Sequence, residues 1–458
     1  MSESAAGVRT NVAAPAVFGT GLSGRYLFYA ISLLFVANSF GYADRAIMGI
    51  LAQPIRDEFH LKDWQLGILT GSAFSITYTL MTLPLARLGE RWHRPRVVGG
   101  SVMVCSAFTA VSSLGTSFLQ MAGFRMGVGI GEAGCVPSSQ SLITSYVSVR
   151  RRAFALSVFM AGASMGSLMG LALGGLIADQ YGWRTAFVVA GLPGLVIGLL
   201  VATTLVEPAL RSPPLAERPN FIASAKTLFR KRAFFLIIAG STVWSLTQNA
   251  GGAFTAVFLL RSHQSGLQTL ADQVNAATGW SIGPVAFLGL VLGVSSGLVG
   301  IFGAIFGGWL VDRQAAKHRG AYVTVMAVSR FFAIPVNVAA FLVGDAGLAI
   351  LLLTVSSFLG HCGTGGVYAS IQSLAPPHLR ATASGLFLFT VNGIGLTLGP
   401  LLAGLVSDAF ATSMGSAQGL RYSLLIFESA AMWAVLLYCR ARTPVSRAIE
   451  DIARRATP

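Results

Sequence analysis

Residues 86–91 read ARLGER and residues 308–313 read GWLVDR. In each hexapeptide a small residue, Ala86 or Gly308, is followed four positions later by an acid and then by an arginine. Both hexapeptides come directly after a long apolar segment. The same element at corresponding places in two halves of a chain indicates an internal duplication.

The segments around these hexapeptides are unusually apolar. The chain has 458 residues, of which 54% are hydrophobic and 11% charged, whereas an average soluble protein has about 25% charged residues. Because about 20 apolar residues in a helix cross a bilayer, the chain is expected to be a multi-span membrane protein. Twelve predicted spans lie at 26–52, 64–87, 96–116, 118–142, 154–178, 183–206, 233–260, 284–311, 320–343, 346–374, 379–407 and 419–439.

The basic residues orient these spans. If both termini are cytoplasmic, 24 of the 32 Lys and Arg lie in cytoplasmic tails and loops, five in outer loops and three inside spans. This asymmetry fits the positive-inside rule, so the net charge of +15 reports topology and does not indicate a nucleic-acid partner. The polar start, MSESAAGVRTNVAAPAVFGTG, has no apolar core, so we expect no cleavable signal peptide.

A polar, proline-rich stretch, LVEPALRSPPLAERP, divides the spans into six and six. The segment FIASAKTLFRKR follows it and has the basic, amphipathic pattern of a helix that lies on a membrane surface. We therefore expect an N-terminal six-helix bundle over 1–206, a cytoplasmic linker over 207–232, and a C-terminal bundle with a cytoplasmic tail over 233–458.

Twelve spans, a central loop and the duplicated acid–Arg hexapeptide resemble the major facilitator superfamily. The resemblance implies an all-α integral membrane fold of two pseudo-symmetric six-helix bundles. It also implies that the acid of each hexapeptide faces a helix N-terminus of the opposite half and stabilises one closed state. The first copy departs from the family pattern at two positions. The residues assigned to this cytoplasmic gate are Ala86, Glu90, Arg91, Arg94, Gly308, Asp312 and Arg313.

Three further stretches resemble one group within that superfamily. They are YADR in the first span, FRMGVGIGEAG in the fourth and YGWRTAF at the start of the sixth. Together they resemble the spinster group, which comprises lysolipid and sphingosine-phosphate transporters and their bacterial relatives. The organic anion:cation symporters share an Asp-Arg in the first span and an Arg…Glu-Ala element in the fourth, so they remain the nearest alternative.

Four charges are predicted to lie inside the membrane in the N-terminal half: Asp44, Arg45, Arg125 and Glu132. Each would cost about 2.5–3.5 kcal/mol at a helix centre if it had no partner. Asp44 and Arg125 have similar predicted depths, and Glu132 lies two helical turns below Arg125 on the same face. We expect Asp44–Arg125 and Arg45–Glu132 pairs that alternate, with one or both acids taking a proton when a pair breaks. The alternative is a static cluster that fixes two helices together.

Four polar residues near mid-membrane are candidates for substrate contact in the C-terminal half: Gln248, Asn249, His361 and Asn392. Hydrogen bonds to neighbouring helices are the alternative for such residues. Gly162, Gly166, Gly170 and Gly174 recur at four-residue spacing, which favours close packing of two helices.

The expected function is secondary active transport of an amphiphilic, lipid-like substrate by alternating access, coupled to protons through the four charges. A proton-coupled symporter of a small organic anion and a multidrug-type exporter are the alternatives, and a non-transporting sensor is a further possibility. We expect no enzymatic activity because the sequence lacks P-loop, H-E-x-x-H and G-x-S-x-G motifs. We also expect no metal or cofactor, membrane lipids as neighbours, a monomer, and a bacterial inner-membrane location.

Overall fold

A computed structural model describes residues 23–148, 151–207, 221–315, 320–375 and 379–456. These residues form helices joined by short turns, because their long apolar runs can satisfy backbone hydrogen bonds in a bilayer only within a helix. In chain order the α-helices are α1 (Gly24–Phe59), α2 (Asp63–Gly67), α3 (Ala73–Arg91), α4 (Arg94–Val111), α5 (Phe118–Glu132), α6 (Cys135–Tyr146), α7 (Arg152–Thr204), α8 (Phe221–Phe229), α9 (Arg232–Ser262), α10 (Gln264–Thr278), α11 (Pro284–Val294), α12 (Gly300–Ala315), α13 (Ala321–Leu342), α14 (Ala346–Cys362), α15 (Thr364–Leu374), α16 (Arg380–Met414) and α17 (Ser416–Ala456).

Helical structure covers all twelve predicted spans. In the part of the chain that the structure describes, nine helical stretches are long and apolar enough to cross a membrane. One of them carries two predicted spans, because α7 turns at Gly182, whose φ of 82° favours glycine. The fourth predicted span is instead broken between Glu132 and Cys135 into α5 and α6. The count of twelve crossings therefore stays a prediction.

The buried apolar side chains form a large cluster within each half, a small one around Phe74 in the N-terminal half, and one that joins the halves. Tyr146 and Phe159 belong to the N-terminal cluster, and Phe234 belongs to the C-terminal one. The joining cluster includes Leu51 of α1 and Phe258 of α9, which are both fully buried. It lies toward the end of the molecule where α1 and α9 terminate, which we call the far end.

The glycine stripe of α7 packs against α1. A Cβ on Gly166 would collide with the Ser39 carbonyl oxygen, and one on Gly170 would collide with the Ala43 carbonyl oxygen. The helix backbones therefore approach so closely that only glycine fits at these positions. This contact fixes the depth of α1 in the N-terminal half, and α1 carries Asp44 and Arg45.

Polar contacts close the far end between the halves. The Arg261 guanidinium of α9 donates to both carboxylate oxygens of Asp63, at 2.7 and 2.9 Å. The Asp408 carboxylate of α16 accepts the backbone N–H groups of Asp63 and Trp64, at 3.0 and 2.9 Å. Ser407 donates to Asp63 at 2.6 Å. The two halves are thus held together on the side that the charge pattern predicts to be external.

The duplicated hexapeptides lie at the opposite end. Asp312 and Arg313 are exposed, and the Arg313 guanidinium lies 5.3 Å from the Trp309 ring centroid. The Glu90 and Arg91 side chains fall outside the described part, as do residues 149–150 and 376–378, which precede the fifth and eleventh predicted spans. The assignment of Ala86, Glu90, Arg91, Arg94, Gly308, Asp312 and Arg313 to a gate therefore stays a prediction.

Arg94 has contacts that the gate assignment did not anticipate. It is 4% exposed, and its guanidinium forms an ion pair of 2.7 Å with Glu207, just past the end of α7. It also donates to the Ser141 and Ser145 hydroxyls of α6. These contacts all lie within the N-terminal half, so they tie α4, α6 and the end of α7 together.

Candidate buried charge cluster

The first ion pair of the N-terminal half joins Asp44 of α1 to Arg125 of α5. Arg125 Nη1 lies 2.9 Å from Asp44 Oδ2, and both residues are almost completely buried. Thr109 donates to the other Asp44 oxygen at 2.6 Å. Arg125 Nε donates to the Leu69 carbonyl at 3.3 Å. Leu69 lies in the π-helical turn Ile68–Ser72, a local geometry that is frequent at functional sites.

The second ion pair joins Arg45 of α1 to Glu132 of α5. It is bidentate, with Arg45 Nη2 2.7 Å from Glu132 Oε1 and Arg45 Nε 2.9 Å from Glu132 Oε2. Such fork-to-fork geometry is among the strongest ion-pair arrangements in proteins. Successive side chains of a helix point about 100° apart, which is why neighbouring α1 residues address different partners.

Three aromatic rings surround the Arg45 guanidinium. Its central carbon lies 4.9 Å from the Tyr42 ring centroid, 4.5 Å from that of Phe74 and 4.8 Å from that of Tyr78. The Phe74 ring also lies 5.8 Å from the Arg125 guanidinium. Each contact is a cation–π interaction that stabilises the buried positive charge.

Glycines bring the charge-bearing helices together. A Cβ on Gly129 would collide with the Phe74 carbonyl oxygen of α3, and one on Gly131 would collide with the Cys105 backbone of α4. On α1, a Cβ on Gly41 would lie 3.3 Å from Glu132 Oε1. The Gly-x-Gly-Glu element therefore lets α5 lie against α3 and α4 and positions the Glu132 carboxylate against α1.

Both ion pairs exist in the same conformation, and they differ in access to solvent. The Asp44 and Arg125 side chains are 4% and 1% exposed, whereas the Arg45 side chain is 23% exposed. The sequence predicted these two partnerships. Their alternation stays a prediction, and Arg45 is the most exposed of the four side chains.

A cavity of about 400 Å³ lies between the halves. Gly49 of α1 and Leu171 of α7 line its N-terminal side, and residues of α9, α13, α14 and α17 line the other side. Gln248 and His361, two of the four predicted contact residues, are among the lining residues.

The other two predicted contact residues do not line this cavity. Asn249 donates to the Ser245 carbonyl of its own helix at 2.8 Å, which is the alternative role that its position allowed. Asn392 is exposed on α16. The assignment of both residues to substrate contact stays a prediction.

Several functional candidates were missed by sequence reasoning. Phe74 and Tyr78 carry no signal in an apolar span, although their four-residue spacing places them on one helix face. Thr109 is equally inconspicuous. The contact between Asp63 and Arg261 could have been predicted, because both residues lie in predicted outer loops and carry opposite charges.

The sequence of this chain matches a known protein family. Residues 33–400 match the Major Facilitator Superfamily. An MFS-type efflux pump of Mycolicibacterium smegmatis is 30% identical over 93% of this chain and 95% of its own. The sphingosine-1-phosphate transporter of Danio rerio is 24% identical over 87% of this chain and 80% of its own.

A solved structure shares both the fold and the arrangement of the halves. It is a bacterial homologue of the human lysosomal transporter Spinster, in an inward-facing and unoccupied conformation. It is 26% identical to this chain, covers 93% of this chain and 99% of its own, and superposes with a TM-score of 0.81. The chain is a multi-pass integral membrane protein that belongs to the major facilitator superfamily and resembles its spinster group.

Proposed function

We propose that this protein is a secondary active transporter that moves a lysolipid or sphingosine-phosphate type of amphiphile by alternating access. The observation that carries the proposal is the bidentate Arg45–Glu132 pair, partly exposed and enclosed by three aromatic rings. A guanidinium in this setting can exchange a carboxylate for a phosphate, because it binds either anion in the same bidentate geometry.

The exchange supplies a route to proton coupling. When a substrate phosphate draws Arg45 away, Glu132 loses its partner in a site where its side chain is 4% exposed. An unpaired buried carboxylate is costly, so it takes up a proton and becomes neutral. Substrate and proton would then bind together, and the proton gradient would bias the change between conformations.

The Asp44–Arg125 pair has a different role in this proposal. Thr109 and the Leu69 carbonyl complete its hydrogen bonds, so nothing is gained by opening it. It holds α1, α4 and α5 at a fixed relative depth while the neighbouring pair exchanges. The substrate-dependent step is therefore assigned to Arg45 and Glu132, with Asp44 and Arg125 as positioning residues.

The conformation described here has the arrangement of an inward-facing state. The Asp63–Arg261–Asp408 contacts hold the far end closed, while Asp312 and Arg313 are exposed at the opposite end. With both termini in the cytoplasm, the cavity would open toward the cytoplasm of a bacterial inner membrane. We propose that the protein acts there as a monomer, with both six-helix bundles in one chain.

Uptake into proteoliposomes tests the substrate class. We expect a radiolabelled lysolipid to be transported, unlabelled lysolipids of the same chain length to compete, and benzoate and other small organic acids to have no effect. Competition by organic acids would support an organic-anion symporter instead. Transport of ethidium without lysolipid would support a multidrug-type exporter instead; the Mycolicibacterium relative is named an MFS-type efflux pump.

A further inference from the structure

A second buried carboxyl lies in the C-terminal half, on α17. Glu428 is 3% exposed, and its Oε1 has no hydrogen-bond partner among the described residues. The Asn337 side chain of α13 is within hydrogen-bond reach of the same carboxyl. Asp44 and Glu132 each form an ion pair with an arginine. Glu428 differs from them because one of its carboxyl oxygens has no hydrogen-bond partner among the described residues.

Glu428 lines the cavity of about 400 Å³ between the halves. Polar groups of Gln248 and His361 also line it, and Trp244 supplies an aromatic surface. No Lys or Arg is among its described lining residues, so Glu428 contributes its only formal charge if the histidine is neutral. The C-terminal wall therefore offers one carboxyl group in an otherwise largely uncharged surface.

The nearest buried cation of this half is engaged elsewhere. Arg330 of α13 is 4% exposed, donates to the Tyr438 hydroxyl, and stacks 4.5 Å from the Trp244 ring centroid. It precedes Asn337 by seven residues, which is two helical turns or about 10 Å along α13. Arg330 is thus held at another depth and does not supply the missing partner of Glu428.

We propose that the Glu428 carboxylate binds the ammonium group of the substrate in this cavity. The inference rests on the proposed function, because it names the head-group chemistry of the transported amphiphile. A buried carboxyl with a free oxygen is neutral while it has no partner, as for Glu132 above, and it ionises when a cation replaces its proton, which the ammonium group can do.

Glu428 in the C-terminal half would take the ammonium, whereas Arg45, to which the proposed function assigns the phosphate, is not among the described residues that line this cavity. Amphiphiles that carry an ammonium group should therefore bind more tightly than anionic or neutral ones of equal tail length.

Equilibrium binding to the purified protein tests the inference. The probes are hexyltrimethylammonium and hexyl glucoside, which share a tail and differ in charge. We expect Glu428→Gln to weaken hexyltrimethylammonium binding at least about tenfold, because a charged partner is lost, and to leave hexyl glucoside binding within about twofold. Asp272→Asn, which changes an exposed carboxylate of the same half outside the cavity, should affect neither probe.

Unchanged cation binding in Glu428→Gln, or an equal loss for both probes, would overturn the inference. If Glu428→Gln does not fold, Glu428→Asp serves in its place, since it keeps the carboxylate but shortens its reach. It should weaken only the cationic probe, and any other pattern counts against the inference. Because binding is measured without transport, a protein that binds the ammonium but moves no lysolipid would refute the proposed function alone.

Discussion

The two ion pairs of the N-terminal half predict losses of stability of different size for two isosteric substitutions. Asp44→Asn removes the only described carboxylate partner of Arg125, whose side chain is 1% exposed. Breaking a buried pair by removing one partner costs about 3–5 kcal/mol, because the remaining charge has no access to water. We therefore expect Asp44→Asn to lower the free energy of unfolding by about that amount.

Glu132→Gln should cost much less stability. Arg45 is 23% exposed and keeps its three ring contacts, so some of its charge stays solvated and some stays stabilised by the aromatic faces. Each such contact contributes about 0.5–2 kcal/mol, so the three together offset much of the penalty and the loss should be smaller than the ~3–5 kcal/mol expected for Asp44→Asn. The same substitution removes the only group of this pair that can take a proton.

Two measurements on the same variants check these expectations. SDS titration in mixed micelles gives the change in the free energy of unfolding, and lysolipid flux with and without a proton gradient gives the coupling. We expect Asp44→Asn to be the less stable variant and Glu132→Gln to be the uncoupled one. Equal destabilisation, or gradient-driven accumulation by Glu132→Gln, would refute the assignment of different roles to the two pairs.

Three further substitutions probe the surroundings of the cluster. Gly166→Ala should lower folded yield and thermal stability because the added Cβ would collide with α1. Gly100→Ala is the control and should leave both unchanged, because a Cβ there meets no neighbouring atom. Similar effects of the two substitutions would contradict the packing account. Arg261→Gln should open the far end, because it removes the bidentate contact with Asp63. The distance between spin labels on the far ends of α1 and α16 should then increase, and an unchanged distance distribution would argue against a gate there. Phe74→Leu should lower the free energy of unfolding by about 1–3 kcal/mol through lost packing and cation–π contact, measured by SDS titration; no loss would mean that the ring does not stabilise the two guanidinium groups.

The sequence predicted the fold because bilayer crossing imposes strong patterns on a chain. The length of the apolar segments follows from the thickness of the bilayer, and the distribution of Lys and Arg follows from the positive-inside rule. Together with the duplicated hexapeptides, these patterns are compatible with few membrane folds. The two ion pairs were predictable because helix geometry converts sequence spacing into depth. Asp44 and Arg125 were matched by counting residues from helix ends.

The features that were not predicted depend on how each helix is rotated about its axis and on whether a buried polar atom has a hydrogen-bond partner. Phe74 faces Arg45, although nothing in an apolar span distinguishes a ring that faces a cation from one that faces lipid. Glu428 lies in an apolar span without a sequence motif, and only the structure reveals that one of its oxygens has no described partner. Arg94 was grouped with a gate by its position, whereas its ion pair with Glu207 depends on where α7 ends.

Proton movement during substrate transport tests the central claim most directly. Purified protein in liposomes that contain a pH-sensitive dye receives an externally added lysolipid with no pre-formed gradient. We predict that wild-type protein moves protons together with the lysolipid, and that Glu132→Gln moves the lysolipid without a pH change. Lysolipid transport by wild-type protein with no pH change would contradict coupling through the Arg45–Glu132 pair.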